Sequence, residues 1–260
     1  MKKFFLSLCV FFIIFQLNTT SMAQTTPKDA DPEIEKLKQA VSNKPKDALV
    51  YNDLGMGYHL SGRYQEAIET FKKSIAINSS FAEVHYNLGV SYYTEGLFEQ
   101  AVKELNLAVL IKPDYISAYK TLGASYDELR MYKESSEAFE KAIALDNKDP
   151  IIFFRLGISY DLLSRYKDAV VMFKKATELK PNYPEAFYHI ALDLFYIDSY
   201  KEALEACNQA LSLKPDYSVA QYQLGLIYVK LKDKAKVKQQ YEILQKTDKD
   251  LAHELGKHVK

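Results

Sequence analysis

The chain has 260 residues, with 34 Lys and Arg against 34 Asp and Glu, 48% hydrophobic and 13% aromatic residues, and two cysteines. Balanced charge without a basic block excludes the electrostatic footprint of a nucleic-acid or anionic-membrane binder, and so few cysteines exclude a disulfide-built fold. Length alone would suggest one or two compact domains, but Gly55, Gly89, Gly123 and Gly157 recur every 34 residues, and Gly225 returns on the same count after Ala191. A fixed period of this size marks a repeat array.

Residues 1–23 read as a secretory signal. Lys2 and Lys3 precede an apolar run over 4–17, then Asn18-Thr19-Thr20 and the small-residue site Ser21-Met22-Ala23, with cleavage expected after Ala23. The alternative is a membrane anchor, but the 14-residue run falls short of the roughly 20 residues that span a bilayer. The mature protein is therefore expected to be exported, periplasmic or secreted. Removing Lys2 and Lys3 from the 34 basic residues leaves 32 against 34 acidic ones, a net charge of about minus two. Cys9 would leave with the signal, and the remaining Cys207 is expected to be a small buried hydrophobe. Residues 24–31 are polar and read as a flexible linker.

Over 32–47, Leu37, Ala40 and Pro45 stand in phase with the second half of the repeating unit, which makes this an N-terminal half-repeat. Six blocks follow without insertion: 48–81, 82–115, 116–149, 150–183, 184–217 and 218–251. Position 7 of the block holds Leu54, Leu88, Leu122, Leu156, Ile190 and Leu224; position 11 holds Tyr58, Tyr92, Tyr126, Tyr160, Leu194 and Tyr228. Position 20 holds Ala67, Ala101, Ser135, Ala169, Ala203 and Val237, and position 24 holds Phe71, Leu105, Phe139, Phe173, Cys207 and Tyr241. Pro113, Pro181 and Pro215 share position 32. Positions 3, 7, 8 and 11 fall on one face of a first helix, and positions 20, 24, 27 and 28 on one face of a second. Turns such as Ser61-Gly62-Arg63 separate the two, and Tyr64, Phe98, Tyr132, Tyr166 and Tyr200 are expected to plug the hairpin corner. Asp114, Asn182 and Asp216 are expected helix caps, Ser80 with Glu83 reads as a capping box, and Pro150 and Pro184 suit a first turn. Residues 252–260 complete a C-terminal cap, a short amphipathic helix carrying Leu251, Ala252 and Leu255.

This pattern resembles the tetratricopeptide repeat. The resemblance covers nearly all of the chain after the leader, departing from it by lacking Trp at position 4 and in the looser fifth and sixth blocks. It implies an all-α, right-handed superhelical solenoid of six helix-turn-helix repeats, with a half-repeat helix at one end and a capping helix at the other.

Catalytic motifs are decoys. Gly55-Met56-Gly57 with Gly62 lacks a preceding strand and the spacing of a phosphate loop. Gly89-Val90-Ser91, Gly123-Ala124-Ser125 and Gly157-Ile158-Ser159 lack the last glycine of a nucleophile elbow. His253-Glu254 with His258 is one residue too long to place both imidazoles on one helix face for zinc. No enzyme, cofactor, metal, nucleic acid or small-molecule substrate is expected.

The resemblance places a peptide groove on the concave face, at first-helix positions 2, 5, 6, 9, 12 and 13. The candidate residues are Tyr86, Asn87, Tyr93, Lys120, Asp127, Phe154, Arg155, Asp161, Tyr188, His189, Phe195 and Tyr222. The carboxylate clamp with which family members grip chaperone tails has no matching frame: where it needs Lys, Asn, Asn, Lys and Arg, the chain has Asn52, Met56, Asn87, Ser117 and Thr121 from the first block and Lys120, Ala124, Arg155, Glu185 and His189 from the third. Acids outnumber bases at the groove positions: Asp53, Glu83, Asp127, Glu128, Asp161 and Glu185 against Lys120, Arg155 and Lys230. The expected partner is a protein segment carrying Lys or Arg beside apolar residues, held by a scaffold in a cell-envelope complex. Two further readings are a regulatory or carrier subunit of a separately encoded envelope enzyme, and a self-associating structural protein.

Overall fold

In a computed structural model, residues 32–259 are described, so the expected signal peptide and linker lie outside the described residues. Among the described residues all regular structure is helical, and no helix is long and apolar enough to cross a membrane. Helix α1 (Pro32–Asn43) stands alone and is followed by six hairpins. These are α2 (Ala48–Leu60) with α3 (Tyr64–Ile77), α4 (Ala82–Thr94) with α5 (Phe98–Ile111), and α6 (Ile116–Glu128) with α7 (Tyr132–Leu145). Then come α8 (Pro150–Leu162) with α9 (Tyr166–Leu179), α10 (Pro184–Tyr196) with α11 (Tyr200–Leu213), and α12 (Ser218–Lys230) with α13 (Lys234–Thr247). Helix α14 (Lys249–Gly256) closes the array and begins inside the sixth block, three residues before the cap boundary read from the sequence.

The glycine of position 8 sets the spacing within each hairpin. A Cβ on Gly55, Gly123 or Gly157 would stand 2.6, 2.8 or 2.6 Å from the ring of Phe71, Phe139 or Phe173. On Gly89 it would meet Leu105 at 2.7 Å. Such distances are sub-van der Waals, so the second helix lies where only a missing side chain admits it. The fifth repeat reaches the same spacing differently: position 8 gains a methyl in Ala191, and position 24 shrinks to Cys207, both fully buried. What reads in sequence as loosening is a volume exchange.

Hairpin turns need a left-handed residue at position 15. Gly62 and Gly96 supply it in the first two repeats (φ 73° and 75°), but Arg130, Ser164, Asp198 and Lys232 hold φ between 58° and 61° in the rest. The corner aromatics Tyr64, Phe98, Tyr132, Tyr166 and Tyr200 are half-buried. Pro150 and Pro184 open their helices as expected.

The caps differ from the sequence reading. Helices α4, α6, α10 and α12 start one residue after the expected cap, on Phe81, Tyr115, Tyr183 and Tyr217, and none of these makes a side-chain capping bond. Ser80 therefore forms no capping box; its amide donates instead to Asn78 Oδ1 at 3.0 Å. True caps are Asp47, Asp149, Asp233 and Asp248, accepting from Leu49, Ile151, Lys236 and Leu251 amides. For Tyr115, Tyr183 and Tyr217 the reason lies in the ring stacking described below.

First helices of successive repeats touch: α2 on α4, α4 on α6, α10 on α12. No second helix makes a comparable contact with the next second helix among the described residues. The array thus curves with its first helices on the inner side.

Candidate functional site

The inner face is built from first-helix residues, and two inter-residue rules decide which of them remain available. The first links position 5 to position 34 of the same repeat. Tyr86 meets Tyr115 with ring centroids 4.9 Å apart, Phe154 meets Tyr183 at 4.9 Å, and Tyr188 meets Tyr217 at 5.4 Å. A lysine at position 31 lies over each outer ring: Lys112 at 4.9 Å from Tyr115, Lys180 at 4.2 Å from Tyr183, Lys214 at 4.8 Å from Tyr217. In the third repeat the same two positions hold Lys120 and Asp149, joined at 2.6 Å. Aromatic residues thus displace aspartate from the cap because ring contact at this corner outweighs one capping bond. Asp149 does both jobs, one carboxylate oxygen capping Ile151 and the other holding Lys120.

The second rule joins position 12 of one repeat to positions 6 and 10 of the next. His59 Nδ1 lies 2.9 Å from Ser91 Oγ. Asp127 accepts from Ser159 Oγ at 3.3 Å and from Ser135 Oγ, with Arg155 Nη1 3.9 Å away. Burial pushes the Asp127 carboxyl up to about 6 despite these bonds, and raises Glu128 beside it. At the next joint, Asp161 faces His189 at 3.9 Å and Asp193 at position 10, where earlier repeats carry serine. Burial raises both carboxyls, Asp193 the more because Asp161 adds like charge. His189 is stacked on Phe173 at 5.1 Å, and burial lowers its imidazole to about 4.

The predicted groove residues consequently divide. Phe154, Asp161, Tyr188 and His189 are between 2% and 6% exposed, so they belong to the wall behind the inner face. Asn87 is also buried, donating to Asn52 Oδ1 at 2.9 Å. Tyr86 and Lys120 are half-buried and already paired within their repeats. Tyr93, Phe195 and Tyr222 are half-buried, with Tyr93 edge-on to Phe98 at 5.5 Å and Phe195 edge-on to Tyr200 at 5.5 Å. Asp127 and Arg155 remain partly open at the centre.

Sequence reasoning missed the apolar lining around them. Ile151 is 53% exposed and Tyr196 37%, and Ile158, Leu192, Val219 and Leu226 are half-buried on the same helices. Their signal was present at positions 2, 9 and 13 of the last three repeats. Inner-face chemistry thus runs from charged at the joint of the third and fourth repeats, at Asp127, Glu128 and Arg155, to apolar and aromatic in the fifth and sixth, with Lys230 5.7 Å from the Phe195 ring. Such a surface can hold a chain segment by ring contact and orient it by charge.

Comparison with known proteins agrees with this architecture. The family model described as Tetratricopeptide repeat matches residues 82–115, 116–149, 151–183 and 184–217, and a second, TPR repeat, matches 57–96. No curated protein matches the chain. Among solved structures, YrrB, described as a TPR protein with an unusual peptide-binding site, is 21% identical and superposes with a TM-score of 0.68, over 72% of this chain and 96% of that one. MamA MSR-1 is 27% identical with a TM-score of 0.59, over 65% of this chain and 97% of that one. MamA from Desulfovibrio magneticus RS-1 is 20% identical with a TM-score of 0.60, over 65% and 96%. With the family model covering more than half its length at the period read from its glycines, the chain belongs to the tetratricopeptide repeat family.

Proposed function

We propose that the protein is an exported, non-enzymatic scaffold that holds a segment of a partner protein along the inner face of its last three repeats. One observation carries the reading: Ile151 and Tyr196 are exposed and Phe195 and Tyr222 half-buried on the first helices of these repeats, while Asp127 and Glu128 stand on the first helix before them. Family membership and the peptide-binding site named for YrrB support it. The segment that fits carries Lys or Arg next to apolar side chains, so that the rings supply affinity and the acids steer encounter. Export rests on the leader, and N-terminal sequencing of the mature protein is expected to begin at Gln24.

The test starts with the purified mature chain, used to capture partners from envelope extract, followed by titration of the captured segment as a synthetic peptide. Phe195→Ala with Tyr222→Ala is expected to weaken binding by about tenfold or more, the size of a two-ring hot spot. Asp127→Asn with Glu128→Gln is expected to weaken it less but to flatten its salt dependence. Affinity unchanged in both double variants would move the site off the inner face.

A further inference from the structure

The slot beside Gly225 has two claimants in the same chain. In the first four repeats position 24 fills the corresponding slot: Phe71, Leu105, Phe139 and Phe173 are at most 1% exposed, each against its own position-8 glycine. In the sixth repeat a Cβ on Gly225 would instead stand 2.5 Å from Leu255 Cδ2, and its three nearest atoms all belong to Leu255 of α14. Tyr241, which holds position 24, is displaced outward. Its ring lies 3.0 Å from where a Gly256 Cβ would be, its hydroxyl accepts from Gln245 Nε2 at 2.8 Å, and it is only half-buried. The cap thus packs on both α12 and α13 and places Leu255 in the slot that position 24 fills in the first four repeats.

The wedge is lightly held. Ala252 (3% exposed) and Leu255 (0%) are its only buried residues, and Leu251 is half-buried. A helix of 8 residues is far below the roughly 12–15 at which helices persist alone, so it exists only while docked. A single extended residue, Asp248 (φ −158°, ψ 98°), joins it to α13.

We propose that α14 is a displaceable latch, in which Leu255 and Tyr241 compete for the Gly225 slot. When the cap lifts, Tyr241 turns inward and closes α12 on α13 in the geometry of the first four repeats. The terminal face then becomes free for contact without unfolding its hairpin. Two side chains that exclude each other from one site make a two-state element, biased by anything that binds the uncovered face.

Hydrogen exchange on the full chain tests this, with residues 150–183 as internal reference. Leu255→Ala is expected to speed exchange over 249–256 while 218–247 stays within about threefold of wild type, because Tyr241 takes the vacancy. Tyr241→Ala alone is expected to change 218–247 equally little. The double variant is expected to lower protection over 218–247 by about tenfold more than the product of the single effects, since no side chain is left to fill the slot. If Leu255→Ala alone deprotects 218–247 as far as the double variant, or if the two effects simply multiply, Leu255 is an ordinary core residue and the latch is refuted.

Discussion

The joint between the first and second repeats and the joint between the fourth and fifth use the same positions with opposite chemistry. At the first, His59 meets Ser91, and Asn87 donates to Asn52, so each polar group finds a partner of matching kind. At the other, Asp161 meets Asp193, and His189 Nδ1 stands 3.9 Å from Asp161, so that both buried ring nitrogens are left without a hydrogen bond. Two carboxyls can share a bond only if a proton stays between them. Solenoid geometry is therefore indifferent to what fills this joint, provided the volume fits, whereas stability and its pH dependence are not. The first joint is neutral and complete; the other is balanced by a retained proton and by the aromatic packing of Phe154, Phe173 and Tyr188 around His189.

The comparison is broken most severely by Phe173→Ala. This ring fills the Gly157 slot and covers His189, so its loss is expected to cost about 3–5 kcal/mol and to unfold the fourth and fifth repeats ahead of the first two. Chemical denaturation with residue-resolved exchange checks both amount and location.

Asp193→Asn sharpens it. The folded-state carboxyl is raised above its unfolded value of 3.8, so the folded protein keeps a proton that the unfolded chain releases. Stability from this group is complete below about pH 4 and is lost as pH rises towards the raised folded value. Asparagine removes that loss and supplies a donor to Asp161. We expect a gain of about 1–3 kcal/mol at pH 8 that shrinks towards pH 4. Melting curves across this range decide it, and a gain independent of pH would contradict the shared proton. His189 has the opposite sign: with its folded value lowered from 6.5 to about 4, it withdraws stability as pH falls through that window.

Asp149→Ala tests the one repeat whose corner is ionic rather than aromatic. It removes a helix cap and the partner of Lys120 together, with an expected cost of about 0.5–2 kcal/mol by thermal melting. The smallest expected effect is a gain. Asp198→Gly and Lys232→Gly relieve left-handed strain of about 1–2 kcal/mol each, offset in part by the added freedom of the unfolded chain. A net rise of a few tenths to about 1 kcal/mol per site is expected, and a fall would mean that the turn side chains hold the corners.

The fold was legible because size complementarity repeats at fixed positions: in the first four repeats the slot-8 glycine announces a large neighbour sixteen residues on, as Gly55 does Phe71. The site was legible only in part. Comparing one position across repeats suggests that Phe154 and Tyr188 line a groove, but their fate depends on a second position, 34, where Tyr183 and Tyr217 cover them. The exchange of both residues in the third repeat, to Lys120 and Asp149, was the available clue, and it appears only when two positions are read together. Asp193 was passed over because position 10 carries no family signature, although its break from Ser91, Ser125 and Ser159 is plain. The insertion of Leu255 at Gly225 lies outside the period altogether, so no count of repeats could reveal it.

The two rules of the inner face also determine where this chain could be cut and rejoined. The stack of positions 5 and 34 closes within one block, so a block moved whole carries it along, but the contact of position 12 with position 10 crosses the seams after the first, third and fourth repeats. Removing 116–149 would bring Tyr93 against Ser159, two hydroxyls that can bond. Removing 184–217 would bring Asp161 against Ile227 and strand a carboxylate on a methyl surface. Although every unit has the same length, a shortened array is expected to survive loss of the third and to fail on loss of the fifth, which thermal melting of the two deletions checks. The units are interchangeable in shape but matched, seam by seam, in chemistry.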